Sequence, residues 1–326
     1  MHTVLLSAPY MLPFVERFKP VFDHYGIELL LPEVHERLEE EEILRYAGQF
    51  DGTICGDDRY SERVIAACQP CLKVISKWGT GIDSIDKKYA QSVGVMVGNT
   101  PNAFTLPVAD SVMGYMLAFA RKQPWMDAAI KSGVWEKIPG RSLSECTLGV
   151  IGVGNIGKAV MRRAKGFDMC LMGNDIISIA PDFILENHIE MVELEELLQA
   201  ADFISLNCDL NPASFHIINP KTLAFVKPQA VLINTARGSL VDEPALIAAL
   251  QEKRLGGAAL DVFEREPLPM DSPLKEMDNV MLASHNSNSS PSAWERVHWN
   301  TIRNLLLGLN IKHDDLGDMQ QKYGQL

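Results

Sequence analysis

Gly152, Gly154 and Gly157 stand at the spacing Gly-x-Gly-x-x-Gly, directly after the apolar run Leu148-Gly149-Val150-Ile151 and directly before a segment with helical patterning. Each position has a physical use: the first glycine permits a tight turn, the second lets the backbone approach a pyrophosphate, and the third lets a helix pack closely on a strand. The pyrophosphate would rest on the amides at the start of that helix, Asn155 and Ile156 among them. The same spacing occurs in turns that bind nothing, so the next apolar run supplies the test. It ends in Asn174-Asp175, about 20 residues past the glycines, where a carboxylate accepts hydrogen bonds from an adenosine ribose and repels a ribose phosphate. The residues therefore predict NAD in preference to NADP.

Three further strand-like segments end in charged or titratable groups: Asn234-Thr235-Ala236-Arg237-Gly238, then Leu260-Asp261 running on to Glu266-Pro267, then Ala283-Ser284-His285-Asn286. In a doubly wound sheet such ends face the ligand crevice. Together with Lys77-Trp78-Gly79-Thr80-Gly81-Ile82-Asp83, Asn99-Thr100-Pro101 and the glycine pattern, these segments closely resemble the signatures of the D-isomer-specific 2-hydroxyacid dehydrogenases over almost the whole chain. The resemblance implies hydride transfer between NAD(H) and the alpha carbon of a small 2-hydroxy or 2-keto acid. It also implies roles that suit the chemistry. Arg237 has a planar fork able to hold carboxylate and carbonyl oxygens together. His285 titrates near neutral pH and can give and take the carbonyl proton, and Glu266 would bond its other ring nitrogen and stabilise the imidazolium. By the same resemblance the loop Trp78, Gly79, Thr80 and Gly81 takes the substrate carboxylate on its amides. Thr235 and Ala236 lie by the cofactor, and Asp261 anchors the nicotinamide carboxamide.

Departures from the family's usual wording bear on the substrate. His285 is commonly preceded by Pro and followed by a glycine-rich turn, whereas Ser284 precedes it here and Asn286-Ser287-Asn288-Ser289-Ser290 follows. Asp209 replaces a usual Pro and Asp168 a frequent Gly. Phosphoglycerate dehydrogenases, the branch this chain most resembles, offer an Arg after the third strand for the substrate phosphate. The present residues are Gly56-Asp57-Asp58-Arg59-Tyr60. Two carboxylates facing the substrate would repel a phosphate, although Arg59 could compensate. Alternatives within the family are thus phosphoglycerate dehydrogenase and glyoxylate or hydroxypyruvate reductase. Outside catalysis, the NADH-sensing corepressors that share this fold are the alternative, and the complete Arg, Glu and His set favours an enzyme.

The elements that must position these residues alternate regularly. Val4 to Ser7, Ile27 to Leu31, Gly52 to Cys55, Leu72 to Ser76 and Val95 to Val97 read as buried parallel strands with helical segments between them. A long apolar helix from Leu106 to Arg121, closed by Pro124, and an irregular stretch through Trp135 to Arg141 mark a crossing between domains. A second series starts at Thr147 and continues with strands at Cys170 to Gly173, Phe203 to Leu206, Val231 to Asn234, Gly257 to Leu260 and Val280 to Ala283. A helix from Pro291 to Leu309 returns the chain to the first domain, and the polar tail after His313 adds no evident core. The fold class is α/β, with two doubly wound parallel-sheet domains. A flavodoxin-like substrate domain comprises residues 1–100 plus 289–326, and a Rossmann NAD-binding domain comprises residues 101–288.

Composition agrees with a globular enzyme: 326 residues, 47% of them hydrophobic, are enough for two cores. The net charge of -12 with scattered basic residues disfavours nucleic acid and anionic membrane as partners. The first residues lack the pattern of a signal peptide, and most of the six cysteines sit in strand-like or apolar surroundings, which together predict a cytoplasmic protein. Cys68-Gln69-Pro70-Cys71 has redox or zinc spacing without the context either needs, and the run Glu39 to Glu42 reads as a solvated face, so no metal is expected. The expected partners are a small 2-hydroxy or 2-keto acid and a second copy of the chain, the homodimer being the family's default.

Overall fold

The computed structural model describes residues 1–325; Leu326, the last residue of the expected first domain, lies outside the described residues. The chain divides into two compact units, Met1–Phe104 with Ser289–Leu326, and Thr105–Asn288. The first boundary thus falls between Phe104 and Thr105 rather than after residue 100.

In the first unit β1 (His2–Leu6), β2 (Ile27–Leu30), β3 (Gly52–Cys55), β4 (Val74–Lys77) and β5 (Met96–Gly98) form one sheet in the order β2-β1-β3-β4-β5. All pairs are parallel. This is the flavodoxin-like order, whose reversal of direction falls between β1 and β3. The segment that returns to this unit is helix Pro291–Gly308, with Pro291 in its first turn where a missing N–H costs nothing. It packs on β3 and β4, and Ser76 Oγ donates to the Thr301 carbonyl at 2.7 Å.

The second unit begins with helix Thr105–Arg121. Its sheet comprises β6 (Thr147–Ile151), β7 (Cys170–Asn174), β8 (Ile189–Met191), β9 (Phe203–Leu206), β10 (Val231–Asn234), β11 (Gly257–Leu260) and β12 (Val280–Leu282). The order β12-β11-β10-β9-β6-β7-β8 extends the Rossmann pattern by one strand. Apolar clusters cover both faces: Val150 and Ile233 belong to one, Ile204 and Leu232 to the other. That explains why these strands read as continuous apolar runs.

Three elements differ from the expectation. Strand β8 is short and lies at the sheet edge with only Ile189 buried, so its pattern carries little signal. Pro124 does not close a helical region but opens a new one. Lys122 adopts the left-handed conformation (φ 55°), which breaks the long helix, and Pro124 sits in the first turn of helix Gln123–Lys131. The tail after His313 forms helix Leu316–Tyr323, seated by buried Leu316 and by Asp315, which accepts from Tyr25 Oη at 2.8 Å and meets His24 Nε2 at 2.7 Å. Of the cysteines, Cys55, Cys68 and Cys146 are buried, Cys71 and Cys208 are half-buried, and Cys170 is exposed.

Candidate active site

Strand β6 ends in the glycine loop, and helix Asn155–Lys165 follows with Gly154 as its N-cap. Gly152 has φ 91°, and a Cβ on Gly157 would collide with the Gly152 carbonyl oxygen, so both positions require glycine. Amides in the first turn of a helix have no partner within the helix and point along its axis. Asp175 meets the same loop: its Oδ2 accepts the Val153 N–H at 2.6 Å, and its Oδ1 accepts the Ile177 N–H at 3.0 Å. The acid is therefore held beside the glycine turn by main-chain donors, with its remaining lone pairs suited to ribose hydroxyls. A close backbone approach, a helix N-terminus and a fixed acid fit a dinucleotide.

Neighbouring parallel strands β10, β11 and β12 carry the titratable groups. Asn234, 1% exposed, shapes the first end: its Oδ1 accepts the Ala236 N–H at 3.1 Å, and its Nδ2 donates to the Arg237 carbonyl at 2.8 Å. Thr235 is buried and Ala236 half-buried in this turn. Gly238 then packs against the backbone of Phe263 so closely that a Cβ would overlap the Phe263 carbonyl, which brings the Arg237 turn against the segment leading to Glu266. Glu266 Oε2 lies 3.0 Å from His285 Nδ1, the side chains 20% and 25% exposed respectively, and Glu266 Oε1 accepts the Phe263 N–H at 2.9 Å. His285 has φ 52°. Asp261 holds it there: the Asp261 carbonyl accepts the His285 N–H at 2.8 Å, and its carboxylate accepts the N–H groups of Asn286 at 2.7 Å and Ser287 at 2.9 Å.

In the first unit the loop Trp78–Gly81 follows β4. Trp78 is 3% exposed and turned inward: its indole N–H donates to His298 Nδ1 at 2.9 Å, and its ring meets Tyr10 and Phe104. Burial lowers the His298 pKa to about 4, so its ring is a neutral acceptor. The Gly79 carbonyl accepts from the Thr100 N–H at 2.8 Å and that of Thr80 from Asn99 Nδ2 at 2.6 Å, while Thr80 Oγ1 donates to the Thr100 carbonyl. These bonds fix the peptide planes of the loop, so its main chain, and not the Trp78 ring, is what it can offer a ligand.

Residues 113–287 match the profile described as D-isomer specific 2-hydroxyacid dehydrogenase, NAD binding domain. The chain is 39% identical over 243 residues to a glyoxylate reductase of Korarchaeum cryptofilum, covering 73% of each. It is 40% identical over 265 residues to a D-3-phosphoglycerate dehydrogenase of Methanocaldococcus jannaschii, covering 80% of this chain and 50% of that one. The chain belongs to the D-isomer specific 2-hydroxyacid dehydrogenases. Among solved structures, a D-lactate dehydrogenase from Aquifex aeolicus complexed with NAD and lactic acid superposes with a TM-score of 0.83 at 26% identity, covering 99% of this chain and 98% of that one. The second unit contains the NAD-binding domain of the family, and the cofactor is NAD. The chain spans half the length of the phosphoglycerate dehydrogenase it matches.

Within this 2-hydroxyacid dehydrogenase, one expectation about the substrate loop needs correction. Asp58 does not face a ligand: it is fully buried, accepting the Leu38 N–H at 2.8 Å and the Ser7 hydroxyl. Burial raises its pKa to about 6. Arg59 Nε lies 3.7 Å from Glu39, both half-exposed. Only Asp57 keeps a partly open carboxylate, paired with Lys77 at 3.0 Å. Asp168, in the place of a frequent Gly, adopts φ 57°, a conformation Asp tolerates better than most residues. Sequence reasoning missed the shaping role of Asn234, although a buried amide at a strand end before Arg-Gly was a visible signal. His216, read from the sequence as structural or exposed, has its Nε2 2.5 Å from Glu264 Oε1. Among the described residues no group of three or more His, Cys, Asp or Glu side chains is placed to hold a metal ion.

Proposed function

We propose that this chain reduces a small 2-keto acid to the D-2-hydroxy acid with NADH, and runs the reverse with NAD. The observation that carries the reading is the Glu266–His285 pair, at 3.0 Å on the sheet edge that also presents the glycine loop and Arg237. The cofactor, when bound, supplies or accepts the hydride, and Gly152, Gly154, Asn155, Ile156, Gly157 and Asp175 hold it, with Thr235 and Ala236 beside its reacting half. Arg237 fixes the carboxylate and polarises the carbonyl through its planar fork. His285 Nδ1 faces Glu266, so Nε2 delivers the proton to the carbonyl oxygen and recovers it in oxidation, while the Glu266 carboxylate stabilises the imidazolium. The amides of Gly79, Thr80 and Gly81 take the substrate carboxylate. Asp261 fixes the His285 turn, and its second lone pairs remain suited to the nicotinamide carboxamide.

In this reading the protein works in the cytoplasm as a homodimer. Support for a second copy comes from helix Gln123–Lys131 and the segment beyond it, where Ile130 and Val134 are half-exposed and Trp135 is 93% exposed. No helix among the described residues is long and apolar enough to cross a membrane. The test is NADH oxidation by purified protein with glyoxylate, hydroxypyruvate, 3-phosphohydroxypyruvate and 2-ketoglutarate. Turnover of at least one is expected. NADH binding without turnover of any would instead favour a sensing role.

A further inference from the structure

Helix Pro291–Gly308 meets the chain before, within and beyond the loop Trp78–Gly81. Before the loop, Ser76 Oγ donates to the Thr301 carbonyl at 2.7 Å, both residues being fully buried. Within it, the Trp78 indole N–H donates to His298 Nδ1 at 2.9 Å. On the segment that braces the loop, Asn300 Nδ2 donates to Thr100 Oγ1 at 2.9 Å, and Asn304 Nδ2 donates to the Asn99 carbonyl at 3.0 Å. Asn99 and Thr100 in turn donate to the carbonyls of Thr80 and Gly79. Trp78 and His298 are 3% and 2% exposed, so water cannot replace either partner of their bond. Burial and the Arg17 guanidinium, opposed by the Glu295 carboxylate, bring the His298 pKa to about 4. Nδ1 therefore keeps its lone pair at neutral pH, and the ring proton sits on Nε2. The imidazole is also held by its neighbours, with ring centroids 5.7 Å from Trp78 and 5.4 Å from Phe18.

We propose that His298 is a positioning residue for substrate binding: by accepting from Trp78 it aims the amides of Gly79, Thr80 and Gly81, on the reading that those amides take the substrate carboxylate. The Trp78 carbonyl and the Gly79 N–H belong to one planar peptide unit, and the Trp78 Cα is one of its two pivots. A Trp78 side chain fixed at its far end by His298 therefore fixes that pivot, while Lys77 Nζ steadies the carbonyl edge of the plane at 3.2 Å. Without the imidazole acceptor the buried indole N–H is left unpaired, and relief requires the side chain to turn toward water. That movement turns the Gly79 N–H away from its ligand, and hydrogen bonds weaken steeply with misalignment. Residues that hold NADH lie in the second unit, so the loss falls on keto acid binding.

His298→Phe keeps a ring and removes the acceptor, whereas His298→Asn keeps an acceptor close to the place of Nδ1. In His298→Phe the KM for glyoxylate should rise about fivefold or more, with kcat and NADH affinity changed less than about twofold. In His298→Asn the KM should return close to that of the unmodified protein. Trp78→Phe removes the same bond from its other end and carries the test if His298→Phe does not fold. The two Phe changes together should raise KM no further than either alone, because one bond is lost in each case. A normal KM beside a lowered melting temperature makes His298 a packing residue and overturns the proposal, as does additivity of the two changes. Amide hydrogen exchange needs no turnover: the N–H groups of residues 79–81 should exchange faster in His298→Phe and at the unmodified rate in His298→Asn. If the unmodified protein reduces no keto acid, the reductase reading falls, and the exchange rates still decide whether His298 fixes the loop. Equal rates in all three proteins contradict it.

Discussion

Asp261 accepts the backbone N–H of Ser287 at 2.9 Å on one carboxylate oxygen, while its other oxygen takes the N–H of Asn286. The strand end after β11 therefore grips the turn that begins at His285. Asp261→Asn replaces one acceptor with a donor facing an N–H. The expected result is a fall in kcat of about tenfold or more from displacement of His285, with a smaller change in NADH affinity. Steady-state kinetics and NADH titration check this; a large loss of NADH affinity at unchanged kcat would assign Asp261 to the carboxamide alone.

Cofactor preference follows from Asp175. NAD(H) is expected to bind at least about tenfold more tightly than NADP(H), about 1.4 kcal/mol. Asp175→Ser removes the repulsion toward a ribose phosphate and should narrow the gap. Titration of the four nucleotides against both proteins measures it, and a preference that Asp175→Ser leaves untouched removes the residue from the ribose site.

Arg237→Lys keeps a positive charge and loses the fork. For keto acids, kcat/KM should fall by about 10-fold to 100-fold while NADH affinity stays nearly intact. Undiminished turnover would make Arg237 a structural charge.

The legible part of the site was the part written locally. Gly152 to Gly157 and Asp175 are read from contiguous segments because each residue type answers a local geometric demand. The segments holding Glu266 and His285 follow apolar strand runs, but the roles of the two residues came from the resemblance of those segments to the family's signatures, since Glu266 lies six residues beyond Leu260, the last residue of β11. Asp58 was not legible beside Asp57: the two are identical in type, and which one turns inward depends on Ser7 and Leu38, far away in the chain. The turn-holding role of Asp261 likewise depends on N–H groups 25 and 26 residues downstream. In the fold, the miss at Gln123–Lys131 came from the left-handed Lys122, which converts a stop at Pro124 into a start.

Buried Asp58 makes a stability prediction with a definite sign. Its pKa rises from 3.8 to about 6 on folding, so the folded protein holds a proton that the unfolded chain has already released. The stabilising contribution is complete below about pH 4 and is lost as pH rises through 6, about 3 kcal/mol in all. In Asp58→Asn this decline should be missing. Urea unfolding of both proteins between pH 4 and 7 tests it, and a gap that does not change over that window contradicts the burial argument.

The central claim is that His285 moves the proton and Glu266 supports its charged form. The most direct measurement is kcat/KM for glyoxylate reduction against pH, for the unmodified protein and for Glu266→Gln. Reduction needs the imidazolium, so the rate should fall as pH rises through the titration of His285. Loss of the carboxylate 3.0 Å from Nδ1 should move that fall to lower pH. A descending limb at the same pH in both proteins would contradict the account.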